Sequence, residues 1–447
     1  MYASKLVCPA CGWETELGNK YACDACGYSL EVIYDYSRIC KDEVAFALEH
    51  YKTMWDFAML LPVKHQENTV TLLEGNTPLI ESIRIGPALG INLLFKDETR
   101  NPTCSFKDRP NAAGISMAKD FGLNAVTIAS TGNAGSSLAA FAAKAGMKCY
   151  IFVPEKTPAA KVTQSMAHGA TIVKVRGNYS DSYSVANMAA KKYNWANLTS
   201  TYLNPYTVEG DKTIAYEIFA QSQGHVPDWI VIPLGAGAML AGVYKGFVEL
   251  KQLGLCDKLP RMIGVQAEGC SPITSAFEQG LDEVTAFENP QTIAGGICDP
   301  LTGYPQDGTR TLREIRKSGG VGVSVSDASI SAALKELACQ EAIFCEPASA
   351  TSLSAVHTLM ERGVIQRGER VVTLITAHGL KDIGEIDVNL EEVATISPQA
   401  DELEALMVKH GQTWSNLVNK NNAHILHQTK NQNQCKIAEW RKKDGCL

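Results

Sequence analysis

Two short stretches carry residues whose types and spacing suit chemistry. In "CPACG" and "CDACG", Cys8, Cys11, Cys23 and Cys26 form two CxxC pairs, each closed by a glycine. Such a turn points two sulfurs at one centre while the glycine lets backbone amides approach them. Four thiolates then complete a tetrahedral zinc site. The spacer between the pairs, residues 12–22, is a little shorter than usual for zinc knuckles. Coincidence or a redox pair is the competing reading, and two matching pairs argue for a structural zinc ribbon. The second stretch is "NPTCSFKDRP", where Lys107 lies between Phe106 and Asp108 behind a proline turn. Surface lysines are usually solvated charges. A lysine acting as a nucleophile must be desolvated or electrostatically tuned until its amine is neutral. Phe106 offers an apolar wall for that purpose.

Three turns could serve such an amine. "LGAGAML" follows an apolar strand and opens a helix, so the amides of Gly235 and Gly237 can converge on a phosphate at the positive helix end. A dinucleotide fingerprint would need a third glycine where Leu240 stands, and a P-loop would need Gly-Lys-Ser/Thr. "STGNAGSS" offers Ser130, Thr131 and Asn133 at a second helix start. These groups suit a carboxylate or a ring oxygen, although the same residue types serve as plain helix caps. "ITAHGLKD" ends a strand on Thr376, a short hydroxyl at ligand height. Each turn alone is ambiguous. Together, amine, phosphate loop, amide and hydroxyl match the needs of an aldehyde cofactor with one phosphate, held by Lys107 as a Schiff base.

The elements that must position these turns alternate. "NAVTIAS", "MKCYIFVP", "DWIVIP", "RMIGVQAE" and "RVVTLIT" read as apolar strands, with helical segments between them. That pattern predicts an α/β fold of doubly wound parallel sheets covered on both faces. Ligands in this class lie beyond the carboxyl ends of the strands, where the unusual turns fall. At 447 residues the chain exceeds one ordinary core. The expected division is a zinc-ribbon-like segment at 1–36, a large cofactor domain from 37–117 and 210–388, a smaller α/β domain at 118–209, and a C-terminal extension at 389–447. The extension is rich in Asn, Gln and Lys and reads as a loose helical addition or a partly disordered tail. A net charge of −7 with no basic run disfavours a nucleic-acid surface. No apolar stretch has the length of a signal peptide or a membrane span. Fourteen cysteines spread through a long chain point to a reducing cytoplasm. The oligomeric state stays open, a homo-oligomer included.

The ordered motifs "EGNTPL", "FKDE", "NPTCSFKDR", "STGNAG", "NPYTVEGDKTIAYE", "GVQAEG", "FCEPASA" and "TAHGLKD" resemble those of threonine synthases, within the fold type II family of pyridoxal-phosphate enzymes. The likeness spans about residues 70–385 and the leading ribbon-like segment. It implies that Lys107 carries pyridoxal 5'-phosphate, that Asn133 contacts its ring oxygen, that residues 235–239 hold its phosphate, and that Thr376 faces the pyridine nitrogen. It implies further that O-phospho-L-homoserine and water become L-threonine and phosphate. Cys104, Pro110, Ala236 and Ala238 depart from the residues usual in relatives. The two alanines require that loop to avoid positive φ at their positions, and Cys104 is expected to be inert packing. Lys96, Arg109 and Arg176 are candidate cations for the substrate's own phosphate, or else structural or surface charges. Competing functions are β-replacement or β-elimination on O-phosphoserine or serine, and a non-catalytic protein that binds pyridoxal phosphate.

Overall fold

Among the described residues, thirteen strands organise the chain. They are β1 (Ala3–Val7), β2 (Glu14–Thr15), β3 (Glu31–Tyr34), β4 (Leu79–Glu81), β5 (Asn92–Asp97), β6 (Ala125–Ala129), β7 (Lys148–Pro154), β8 (Thr171–Val175), β9 (Ala196–Asn197), β10 (Trp229–Pro233), β11 (Arg261–Ala267), β12 (Val321–Val325) and β13 (Arg370–Ile375). The computed structural model describes residues 2–385 and 394–409.

Three sheets result. The largest has the order β12-β11-β10-β13-β5-β4. Its first five strands are parallel, and β4 adds an antiparallel edge. The second, β8-β7-β6-β9, is parallel throughout. Strands such as "WIVIP" and "AVTIA" are buried at every position, as a parallel sheet covered on both faces demands. Apolar cores lie on each side of the large sheet, and another surrounds the second sheet. The expected doubly wound α/β architecture is therefore present. The third sheet, β2-β1-β3, is small and antiparallel, and it carries the cysteine pairs.

The described residues fall into two units, one within 1–386 and the other within 387–447. In the second, residues Ala400–Lys409 form a helix. The remainder of the predicted C-terminal extension lies outside the described residues. No helix among the described residues is long and apolar enough to cross a membrane.

Candidate active site

Strand ends bring the chemical residues together. After β5, the turn through Pro102 and Cys104 delivers Lys107 to the start of the helix Asp108–Asp120. Two contacts fix that delivery. Ser105 bridges Ala377 just beyond β13, and the Phe106 amide donates to the Thr376 carbonyl at 2.9 Å. Asp108, fully buried, accepts from the Thr103 amide at 2.7 Å and from Ser137 Oγ at 2.6 Å, tying the loop to the helix Asn133–Ala145. Lys107, Thr376, Ser130, Thr131, Asn133 and residues 235–239 consequently line one pocket. All the nominated cofactor and substrate positions converge there.

The amine of Lys107 is tuned. Its side chain is partly buried, Nζ contacts Ser200 Oγ, and it lies 4.2 Å from the centre of the Phe106 ring. Burial lowers its pKa to about 8, against the opposing pull of Asp211, Asp299 and Glu346. Those carboxyls are raised in turn by burial, Asp211 to about 8 and Glu346 to about 7. Near neutral pH an appreciable share of the amine is unprotonated, as nucleophilic attack on an aldehyde requires.

The loop at 235–239 has free donors. Among the described residues, the amides of Gly235, Ala236, Gly237, Ala238 and Met239 have no hydrogen-bond acceptor. They crown the helix Ala238–Gln252, whose N-terminus has no side-chain cap. Gly237 has φ 96°, whereas Ala236 and Ala238 avoid positive φ, as their Cβ atoms require. The loop can therefore receive an anion on oriented amides and the helix dipole.

At the opposite side, the amides of Thr376 and Ala377 both donate to Ser349 Oγ at 3.0 Å. The Ser349 hydroxyl is 2.8 Å from Thr376 Oγ1. If Ser349 donates along that contact, the Thr376 hydroxyl keeps its proton for an outside acceptor such as a pyridine nitrogen. Asn133 gives its amide to both oxygens of Glu346, at 3.1 and 2.9 Å. A lysine with a lowered pKa, five free amides and a spare hydroxyl fit pyridoxal phosphate well.

The three nominated cations lie elsewhere. Arg109 is fully buried and donates from Nε to Glu98 at 2.7 Å and from Nη1 to Glu217 at 2.6 Å. Lys96 is equally buried, 2.7 Å from Glu217. Neither can reach a ligand without abandoning a buried carboxylate. The Arg176 side chain is 93% exposed, 4.0 Å from Glu155. None of the three lines the pocket, so their places favour the structural or surface reading. Cys104 also departs from expectation, being exposed and left-handed at φ 63° rather than packed inside. A glycine would suit that backbone. Pro110 sits in the first turn of its helix, where the missing N–H has no intrahelical acceptor.

Ser200, Asp211, Asp299 and Glu346 line the pocket without having been singled out from sequence. Asp211 and Glu346 stand inside the quoted motifs "VEGDKT" and "FCEPASA". Ser200 and Asp299 carry no such signal.

The cysteine pairs also converge. Sulfurs of Cys8, Cys11, Cys23 and Cys26 all lie within 4.8 Å of one another. Gly12 and Gly27, at φ 75° and 74°, close the two knuckles by donating to the carbonyls of Cys8 and Cys23 at 2.9 and 2.8 Å. A tetrahedron with Zn–S bonds of about 2.3 Å has sulfurs roughly 3.8 Å apart. The observed separations of 3.5, 3.5 and 3.6 Å are close to that.

Known proteins are similar to this chain. The family model described as pyridoxal-phosphate dependent enzyme matches residues 70–377. A threonine synthase of Methanosarcina acetivorans is 41% identical over 403 residues, covering 89% of this chain and 96% of that protein. One of Methanocaldococcus jannaschii is 40% identical over 379 residues, covering 84% of this chain and 92% of that protein. Among solved structures, the processed form of threonine deaminase isoform 2 from Solanum lycopersicum superposes with TM-score 0.58 at 20% identity, covering 78% of this chain and 90% of that one. Maize serine racemase gives TM-score 0.58 at 20% identity, covering 75% and 92%. At those identities the structural likeness speaks for the fold alone. By family model and by close sequence relatives, the chain belongs to the pyridoxal-phosphate dependent enzymes and, within them, to the threonine synthase family.

Proposed function

We propose that this protein converts O-phospho-L-homoserine and water into L-threonine and phosphate. The carrying observation is identity of 40–41% to threonine synthases, over 92–96% of their length. Pyridoxal phosphate, when bound, supplies an electron sink for charge developing on the substrate carbons. In our reading Lys107 holds the cofactor covalently and yields it to the substrate amine. Its freed amine then takes the α proton and moves protons to and from the β carbon. Phosphate leaves from the γ carbon and water adds at the β carbon. The amides of residues 235–239 hold the cofactor phosphate, and Asn133 orients the ring from its seat on Glu346. Ser130 and Thr131 face the substrate from the start of the helix Asn133–Ala145. Thr376 offers the ring nitrogen a neutral hydroxyl, so the nitrogen need not be protonated. The weaker sink favours elimination and replacement over transamination.

The four N-terminal cysteines hold a structural zinc in this reading, so residues 1–36 form a ribbon. The sheet β8-β7-β6-β9 belongs to a smaller domain at 118–209, and residues 37–117 with 210–388 form the larger cofactor domain. None of the twelve described cysteines lies in a disulfide, which supports a reducing compartment, the cytoplasm.

The test is phosphate release from O-phosphohomoserine and O-phosphoserine in parallel, with products identified. Threonine formed from phosphohomoserine with water as sole co-substrate is expected. Consumption of phosphoserine alone, dependent on an added nucleophile, moves the protein to β-replacement. Cofactor binding without turnover of either makes it a non-catalytic binder.

A further inference from the structure

Two cavities meet at Lys107. The larger is the candidate active site, and a second of about 10 Å³, room for a single water, adjoins it. Lys107, Ser200 and Asp211 line both, whereas Asn111, Thr201 and Thr207 line only the second. Lys107 Nζ contacts Ser200 Oγ, and among the described residues the Ser200 hydroxyl has no acceptor of its own. Asp211 closes the helix Pro205–Asp211 and is 3% exposed. Close packing holds its stem. A Cβ on Gly242 would stand 2.8 Å from Asp211 Cβ, and one on Gly210 would stand 2.2 Å from the Arg109 carbonyl oxygen. Asp211 is thereby wedged between the starts of the helices Asp108–Asp120 and Ala238–Gln252, which present the amine and the free amides.

A carboxyl in that place lacks what a carboxylate needs. Among the described residues no donor and no ion pair reaches Asp211, and its Oδ1 is buried without a partner. Besides Lys107, the charges facing it are Arg109 and Glu98, and Arg109 is taken by Glu98 and Glu217. Lys212, Lys245 and Glu249 on the adjoining helices pair among themselves and with Glu209. A buried carboxyl without donor or counter-charge keeps its proton rather than its charge. Burial accordingly raises the pKa of Asp211 to about 8. A neutral acid therefore stands across a one-water cavity from a hydroxyl that touches the amine.

We propose that Asp211 is a positioning residue that stores a proton for Lys107, passed through one water in the small cavity and the Ser200 hydroxyl. The Asp211 carboxyl gives its proton to the water, the water gives one to Ser200 Oγ, and the Ser200 hydroxyl gives its own to the neutral amine. Carboxyl becomes carboxylate, amine becomes ammonium, and water and hydroxyl are regenerated. The reverse order returns the proton, and the net charge of the site stays constant throughout. In the reaction proposed above, the freed amine can thus load or discharge a proton without drawing on solvent.

The proposal rests on Lys107 as the amine that holds the cofactor, and its first readout needs no turnover. Full-length apo-protein is mixed with pyridoxal phosphate from pH 6 to 10, and capture is followed by stopped-flow absorbance. Asp211→Asn keeps the shape of the neutral acid but removes its proton and its charge. An ionised Asp211 favours the Lys107 ammonium, so the variant's half-point should fall by about one pH unit. Asp299 and Glu346, which also face Lys107, are common to every variant. Ser200→Ala breaks the relay and keeps the carboxyl. A relay alters rates and not equilibria, so its half-point should stay near that of the unaltered protein. Phosphate release from O-phosphohomoserine should fall at least several-fold in both variants, through kcat more than KM. A half-point unmoved by Asp211→Asn would overturn the proposal, and full turnover in Ser200→Ala would remove the relay. If the unaltered protein releases no phosphate while the half-point still shifts, the proposed reaction fails and the coupling of Asp211 to Lys107 stands.

Discussion

In the proposed role of Lys107 one proton decides capture of the cofactor, because only the neutral amine attacks an aldehyde. Burial disfavours the ammonium and lowers its pKa to about 8. The neutral fraction should therefore rise about tenfold per pH unit below 8 and level off above it. Asp211, raised to about 8 itself, titrates with Lys107, so the apparent value belongs to the pair. Stopped-flow absorbance on apo-protein mixed with pyridoxal phosphate, from pH 6 to 10, reads this directly; a profile still rising at pH 10 would mean a solvated lysine. Cys104 makes the opposite kind of prediction. It holds φ 63° on an exposed turn beside the reactive lysine, where a Cβ is unfavourable by about 1 kcal/mol. Cys104→Gly should raise stability by up to about that much, offset in part by unfolded-state entropy, and leave the capture profile unmoved. Denaturant midpoints check it, and a loss of 1 kcal/mol or more would mean that Cys104 makes contacts worth more than its strain.

At the scale of elements, the helix Ala238–Gln252 is aimed by one residue. Gly237 is its N-cap, at φ 96°, and a Cβ there would stand 2.3 Å from Thr311 Cγ2 and Oγ1. Thr311 cannot yield freely, because its hydroxyl donates to the Ala236 carbonyl at 2.6 Å and lies 2.9 Å from Tyr202 Oη. Gly237→Ala should cost roughly 1–3 kcal/mol in strain and weaken pyridoxal phosphate binding at least tenfold, read by equilibrium dialysis. Unchanged affinity would remove these amides from the phosphate site. The strands and this loop were legible in sequence because apolar runs and glycine turns are local signals. The roles of Lys96 and Arg109 were not. Each sits in a motif near Lys107, but its partner Glu217 comes from a helix more than a hundred residues later. Sequence displays a cation and hides what neutralises it. The pocket carboxyls were obscured for the same reason, since Asp299, beside its local partner Tyr304, gains its meaning from Lys107 across the fold.

For the molecule as a whole, the buried charges and the N-terminal sheet make two different demands. Arg109, Lys96, Glu98 and Glu217 join β5 to the helices Asp108–Asp120 and Thr213–Gln221 with no exposed member. Arg109→Leu would leave Glu98 with no ionic partner and Glu217 with Lys96 alone, which should cost about 3–5 kcal/mol. Thermal unfolding checks this; a loss below about 1 kcal/mol would show that the carboxylates find water or protons cheaply. The N-terminal sheet is attached differently, by contacts along its rim. Tyr206 Oη bonds both the amide and the carbonyl of Gly18, at 3.0 and 2.9 Å. Tyr34 Oη donates to Glu209 at 2.8 Å, and Lys245 Nζ donates to the Val32 carbonyl at 2.8 Å. None of these contacts involves a cysteine, and none of the four sulfurs lines the pocket. Metal should therefore set the stability of β1–β3 without gating the cofactor. Elemental analysis should find about one zinc per chain, as four thiolates in a tetrahedron require. Cys23→Ser should lower that content and speed hydrogen exchange in residues 2–34, because knuckle hydrogen bonds such as Gly27 to Cys23 lose their anchor. Borohydride reduction of the same variant should still fix pyridoxal phosphate on Lys107, as peptide mapping would show. Full protection of residues 2–34 in metal-free protein would make the cysteine cluster self-supporting, and loss of the Lys107 label would make the ribbon part of the active site.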